Sequence, residues 1–478
     1  MNRQGRTRAG KAEPEDIGEA VEFVRREELE TAREEIERLR QENERLLREL
    51  ETARRGQKRQ TAPFSKGEPK TEPRKAGRKS GTAHGKHCRR GIPSAVDERY
   101  RAELPGKCEC GADIAAGRTK RQYQEDIVRR KVVREFEVET GHCAGCGRYH
   151  QGRHRLQISD ALDAAQSQVG PEAMALLAHL NKRMGLSLGH AVEVLRIGYG
   201  LEMSRAGAYR ALARLAGKVK PTYEAMSAQI QRSPEVSIDE TGWKVGGRLH
   251  WLWVAVNECV TVYRIEPGRG YEQAVKLVGA GYTGCLIHDG WIVYWRFTLA
   301  LHQSCLWHIL RRCRIMIEAA SNPEATGLPR QVKGLLEKSL RLRDRRDGGE
   351  VSERGVWSAA GRLAAEMDRL LSEPWESEAD RRLVKHLRRQ EPHLFTFLHC
   401  PGVEATNNRG ERAIRPAVIA RKVWGGSRTA KGAEVQQVLA SVLATCRQQA
   451  KDAFGRITAL LRSPAESVLD LLPESGSP

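Results

Sequence analysis

The sequence predicts a multidomain α+β protein, and three observations predict it. Its 478 residues exceed what one compact core holds and are enough for about two to four domains. Long apolar strand-like runs gather between residues 235 and 295, while Leu-, Arg- and Glu-rich helical patterning fills most of the chain around them. A basic stretch poor in apolar residues, 55–95, separates an N-terminal helical pattern from everything that follows.

Charge narrows the class of partner. Lys and Arg total 81 against 61 Asp and Glu, a formal net charge of +20 with a pI near 9.7. Such a surplus points to a polyanion, either nucleic acid or an anionic membrane. No run of 18 apolar residues occurs, so no segment is expected to span a membrane. The N-terminus is polar and lacks the apolar core of a secretory signal. Eleven cysteines, an odd number in a long chain, read as reduced thiols and metal ligands in a cytoplasmic, nucleoid-associated setting. Nucleic acid is the favoured partner.

Residues 1–16 are expected to be disordered, and 17–54 to form a coiled coil. Leu29, Ile36, Asn43 and Leu50 fall on one heptad position; Ala32, Leu39, Leu46 and Ala53 fall on its partner. An Asn at a single core position sets register and favours a parallel dimer. Glu28 with Arg33, Glu35 with Arg40 and Glu49 with Arg54 are opposite in sign across such a dimer. The basic linker 55–95 follows, with eleven Lys or Arg against two Glu between Gln57 and Arg90.

Residues 96–160 predict a zinc-ribbon-like module. Cys108 and Cys110 form one pair, Cys143 and Cys146 the other, and the segment between alternates like strands. Thiolates on two tight turns can complete a tetrahedron around structural Zn²⁺. The first pair is C-x-C where C-x-x-C is usual, and His142 or His150 could replace one thiolate. Four buried thiols in a small domain is the other reading. Residues 161–232 read as three helices, the last capped by Ser204 and carrying Arg205, Tyr209, Arg210 and Arg214. That suits a helix-turn-helix on DNA, and a plain helical connector fits as well.

From Glu235 the pattern changes to strands. EVSIDETGWKV, RLHWLWVAV and the run after Cys259 read as three antiparallel strands, YEQAVKLV as a helix, and YTGCLIHDG as a buried strand. That order opens a ribonuclease H-like α/β fold, with Asp239 and Asp289 expected to end central strands. Residues 296–400 show no strand signal and read as a helical insertion. The catalytic domain then comprises 233–295 and 401–432, and 433–478 a C-terminal helix and tail. Cys305 and His308 share one helix face, with core packing the default reading.

The stretch Glu404–Lys422 holds the third acid. Glu411 sits among Asn408, Arg412, Arg415, Arg421 and Lys422. Two aspartates at strand ends plus a helical glutamate can bind two divalent ions roughly 3.5–4 Å apart, the arrangement used for phosphodiester chemistry. Carboxylate oxygens suit Mg²⁺ or Mn²⁺. Asn408, Arg412, Arg415, Arg421 and Lys422 are the candidates for holding DNA phosphates. Pro416 is expected to end or bend this helix.

The chain resembles the insertion sequence 66 family of DDE-type transposases. The residues that carry this are SIDETGWKV and WLWVAV (Ser237–Val245, Trp251–Val256), HDGW (His288–Trp291), CLWH (Cys305–His308), TNNRGERAIRP (Thr406–Pro416), Arg421 with Lys422, and GSRTAKGAE (Gly426–Glu434). The resemblance covers nearly the whole chain and implies that Asp239, Asp289 and Glu411 are the metal-binding triad. It leaves the role of Cys305 and His308 open. The expected function is cleavage of phosphodiesters at element ends followed by strand transfer into target DNA, by a homodimer or higher oligomer, with accessory proteins of the same element as possible companions. The alternatives are a non-catalytic DNA-binding derivative and a nuclease on the same fold.

Overall fold

A computed structural model describes residues 30, 33–43 and 45–46, then 93–158 apart from 104, 106, 115–117, 119 and 125–130, then 162 and 168–472 apart from 321–325, 401 and 464–466. The chain divides into two compact units, Met1–Glu125 and Asp126–Pro478.

In the first unit, residues 33–43 are helical (α1). Ile36, Leu39 and Leu46 of the heptad seam are about half exposed. Glu35 pairs along its own helix with Arg38 at 2.6 Å. Leu29, Ala32, Leu50 and Ala53 lie outside the described residues, as do the basic residues 55–90.

The second unit begins with a short hairpin, β1 (Thr140–His142) and β2 (Tyr149–Gln151). Three helices follow where the sequence places them: α2 (Pro171–Ala178), continued by a π-helical turn at His179–Arg183, then α3 (Leu188–Tyr199) and α4 (Arg205–Gln231). Ser187 and Ser204 cap α3 and α4, accepting from the N–H groups of His190 and Gly207.

A five-stranded sheet then forms from β3 (Glu235–Val245), β4 (Arg248–Val256), β5 (Thr261–Glu266), β6 (Cys285–His288) and β7 (Leu301–Ser304), with α5 (Tyr271–Val278) between β5 and β6. Its order is β5-β4-β3-β6-β7. β4 runs antiparallel to both β3 and β5; β6 runs parallel to β3, and β7 parallel to β6. β7 corrects the expectation of an all-helical 296–400 segment. Its LHQS sequence is polar, but His302, Gln303 and Ser304 are buried. Gln303 donates to the Leu394 carbonyl and accepts from the Phe397 N–H, so its amide replaces what apolar packing does elsewhere.

Both faces of the sheet are covered, which explains the continuous apolar run in β4. Val236, Ile238, Trp253, Ala255 and Val262 pack with α2–α5. Trp243, Leu252, Val254, Val256 and Tyr263 pack on the other side with Ile414 and Ala417 of α11 (Asn408–Trp424) and Ala433 of α12 (Ala430–Gln448). Between β7 and α11 come α6 (Leu306–Ala319), α7 (Gly327–Asp347), α8 (Glu353–Ser372), α9 (Glu378–Arg388) and α10 (Thr396–His399), which form a separate core around Cys285 and Ile287. α13 (Ala453–Arg462) closes the fold against α2.

α11 runs through Pro416 to Trp424 instead of ending there. Ile414, Ala417 and Ala420 are buried on both sides of the proline, and the Tyr263 hydroxyl donates to the Ala413 carbonyl at 2.6 Å.

Candidate active site

Period-two alternation places the acids. On β3, Ser237, Asp239, Thr241 and Trp243 share the face that meets α11. The parallel register pairs Ser237 with Ile287, so Asp239 and Asp289 are each two residues beyond that last pair, on one face. Asp239 therefore lies within β3 and not at its end, which corrects the sequence expectation. The strand pairs with β4 from Ser237 to Val245 but with β6 only from Glu235 to Ser237. That divergence opens the sheet beside Asp239, in the crevice beyond the carboxyl ends of the parallel strands.

Asp289 is fixed by a tight turn. Its Oδ1 accepts from the Trp291 N–H at 2.9 Å. Gly290 has φ +88°, and a Cβ there would meet the Gln390 side chain at 3.0 Å. His288, fully buried, accepts the Gly290 N–H at Nδ1, so its Nε2 carries the proton donated to His302 Nδ1 at 3.1 Å; His302 Nε2 in turn donates to the Phe297 carbonyl. Burial first, then His302 and His393 nearby, hold His288 neutral.

Glu411 comes in the first turn of α11, where negative charge suits the helix dipole. Asn407 anchors that helix start. It is 1% exposed, and its Nδ2 donates to the Ile238 carbonyl at 2.8 Å, one residue before Asp239. Its backbone N–H donates to Cys305 Sγ at 3.1 Å. A Cβ at Gly410 would fall 2.7 Å from Asn407 Oδ1, so this turn needs glycine. Arg409 adds ion pairs to Glu235 and, at 3.2 Å, to Glu404. Asn407 was missed from the sequence, where Asn408 was the candidate; Asn408 is exposed.

Asp239 feels the other two carboxylates. Burial pushes the Asp239 carboxyl up to about 8; the charges of Glu240, Asp289 and Glu411 add to this, and the Glu240 N–H opposes it. Among the described residues no Lys or Arg forms an ion pair with Asp239, Asp289 or Glu411, and Glu411 Oε1 is buried without a hydrogen-bond partner. A buried carboxylate that two further carboxylates act on, with one Glu411 oxygen lacking a hydrogen-bond partner and no Lys or Arg ion-paired to any of the three, suits a hard divalent ion.

Glu240 points to the other face of β3, where it is neutralised. The Tyr294 hydroxyl donates to Oε2, and Arg269 Nε donates to Oε1 at 2.7 Å. Arg269 is itself held between Trp251 and Trp291, 4.8 and 4.1 Å from the ring centres. Tyr294→Phe leaves a buried carboxylate oxygen unpaired and should cost about 1–3 kcal/mol of stability. Urea unfolding checks this, and an unchanged midpoint contradicts it.

The predicted phosphate ligands separate. Arg415 and Lys422 are exposed. Arg412 lines a cavity of about 620 Å³ with Lys182, Arg183, Arg409 and Arg447. Arg421 is turned onto β3, donating to the Gly242 carbonyl. Cys108, Cys110, Cys143 and Cys146 are exposed, which corrects the buried-thiol reading. Each pair occupies a tight turn, closed by Gly111 N–H to the Cys108 carbonyl and by Gly147 N–H to the Cys143 carbonyl, both 2.8 Å. Among the described residues the one Cys/His/acid group drawn together is Cys305, His308 and Glu411.

Two comparisons bear on identity. A protein of Sinorhizobium fredii (strain NBRC 101917 / NGR234), named uncharacterized protein y4qI, is 22% identical over 320 residues, 60% of this chain and 59% of its own length. The chain thus spans under two thirds of that relative. The sequence model described as "Transposase IS66 family" matches residues 166–435, from just before α2 into α12. That match spans more than half of the chain and includes all three acids, so the chain belongs to the IS66 transposase family.

Proposed function

We propose that the chain is a DDE-type DNA transposase whose metal ligands are Asp239, Asp289 and Glu411. The observation that carries this is that the charges of Asp289, in the turn after β6, and Glu411, in the first turn of α11, both act on the buried Asp239 of β3, with no Lys or Arg ion-paired to any of the three among the described residues. The strand order, three antiparallel strands followed by two parallel ones, supports a ribonuclease H-like catalytic domain interrupted by the helices α6–α10. Mg²⁺ or Mn²⁺ bound there would supply Lewis-acid activation of the attacking oxygen and charge stabilisation at the leaving oxygen.

The protein's own groups set up this chemistry. Asp289 is held by its turn and by His288, and Glu411 by Asn407 and Arg409. Asn408, Arg412, Arg415 and Lys422 present hydrogen-bonding and cationic groups to DNA phosphates. Arg421 braces β3 against α11. Water attack on an end phosphodiester forms one O–P bond as the bond to the 3′ oxygen breaks; attack by that freed hydroxyl on target DNA repeats the exchange. The exposed Cys108, Cys110, Cys143 and Cys146 are the proposed structural Zn²⁺ ligands. The half-exposed heptad seam is the proposed dimer contact, and α3–α4 the proposed DNA-reading helices.

The test is full-length protein with Mg²⁺ on DNA carrying the element's inverted ends plus a circular target. The proposal expects nicks leaving 3′ hydroxyls and joined products. Binding without nicking at any metal concentration would indicate a DNA-binding derivative, and nicking without joining a nuclease; either result overturns it.

A further inference from the structure

Cys305 ends β7's connection into α6, at the helix N-cap, with its N–H bonded to the His288 carbonyl at 2.8 Å. Its sulfur is buried and accepts from the Asn407 N–H at 3.1 Å. His308 lies one turn on. Its Nε2 is 3.6 Å from Glu411 Oε1, and one ligand atom each from Cys305, His308 and Glu411 lies within 4.8 Å of the other two.

Ordinary packing leaves two atoms of this group unexplained. His308 Nδ1 and Glu411 Oε1 are both shielded from solvent and both lack a hydrogen-bond partner. Buried polar atoms in native proteins are rarely left so. Tetrahedral ligands at Zn–N and Zn–O bond lengths lie about 3.4 Å apart, close to the observed imidazole–carboxylate separation. A thiolate, an imidazole and a carboxylate suit a borderline ion such as Zn²⁺ or Co²⁺ better than Mg²⁺.

We propose that Cys305, His308 and Glu411 form a second metal site, for a Zn²⁺-like transition ion, with a fourth position left to solvent. On binding, the Cys305 thiol loses its proton to solvent and a metal–sulfur bond forms. That Glu411 is thereby shared with the Mg²⁺ ligands rests on the proposed function; the thiolate–imidazole site itself does not. Occupancy would hold Glu411 toward α6, so a thiophilic ion should oppose Mg²⁺-dependent cleavage.

The probe is Co²⁺ added to metal-stripped full-length protein, read by its thiolate charge-transfer absorption and by bound cobalt per chain. With Cys108, Cys110, Cys143 and Cys146 all changed to Ser, a one-thiolate band is expected to remain and to vanish on adding Cys305→Ser. In the otherwise native chain, Cys305→Ser and His308→Asn should each lower bound cobalt by about one equivalent, a readout that does not depend on the four-serine protein folding. No thiolate band in the folded four-serine protein, a band unmoved by Cys305→Ser, or unchanged cobalt in both single variants overturns the site. Asp239→Asn should keep the cobalt band and lose cleavage. If it cleaves normally with the band intact, the proposed function fails and this site stands.

Discussion

Asp239→Asn is expected to lose Mg²⁺-dependent cleavage by roughly 10³-fold or more, since several kcal/mol of metal-borne charge stabilisation go with the carboxylate. The same variant should be more stable than the native chain when no divalent ion is present. Burial, with Glu240, Asp289 and Glu411, raises Asp239 from 3.8 to about 8. The folded state therefore holds this proton more tightly than the unfolded chain does. The stability tied to it is fully present below about pH 4 and is lost as pH rises through about 8. Asn carries no charge to bury. At pH 8 in chelator the variant should gain about 2 kcal/mol after allowance for partial solvent contact, on the order of 5 °C in Tm. Mg²⁺ should then raise the Tm of the native chain and leave the variant's unchanged. A variant that melts below the native protein at pH 8 would show that Asp239 is not a strained acid. Retained DNA binding would show that the cleavage loss is chemical.

Asn407→Ala is expected to lower stability and activity together. The buried Ile238 carbonyl loses its amide donor, a cost of about 1–3 kcal/mol. The start of α11 also loses its tie to β3 one residue from Asp239, and Glu411 lies four residues further on. Outer-shell changes of this kind cost about 10–100-fold in metal affinity. The Mg²⁺ concentration for half-maximal cleavage should rise accordingly, an effect that a purely structural residue would not produce. An unchanged Mg²⁺ requirement at lowered stability would reduce Asn407 to a fold anchor.

Much of this was legible in the sequence because it is written in apolar periodicity. The apolar runs of β3, β4 and β5 announced strands, and Ser204 marked a helix start. The three acids stood out because strand signals bracket Asp239 and precede Asp289, while cations surround Glu411. What escaped is polar and non-local. β7 is built from His302, Gln303 and Ser304, whose burial depends on partners near residue 395. Asn407 and Asn408 are the same residue type side by side; only the helix phase decides that the first enters the interior. Arg421 reads as one more phosphate ligand until β3 supplies the Gly242 carbonyl. The meeting of Cys305, His308 and Glu411 depends on chain segments about 100 residues apart, a separation that no local pattern encodes.

The central claim is that Asp239, Asp289 and Glu411 bind one divalent-metal centre and that this centre cuts DNA. Its most direct test measures Mn²⁺ bound to the full-length protein by electron paramagnetic resonance, alongside nicking of end-bearing DNA by the same samples. Asp239→Asn, Asp289→Asn and Glu411→Gln should each lose Mn²⁺ binding and nicking together while still binding DNA. A folded variant of any of the three that binds Mn²⁺ and nicks DNA like the native chain would contradict the account.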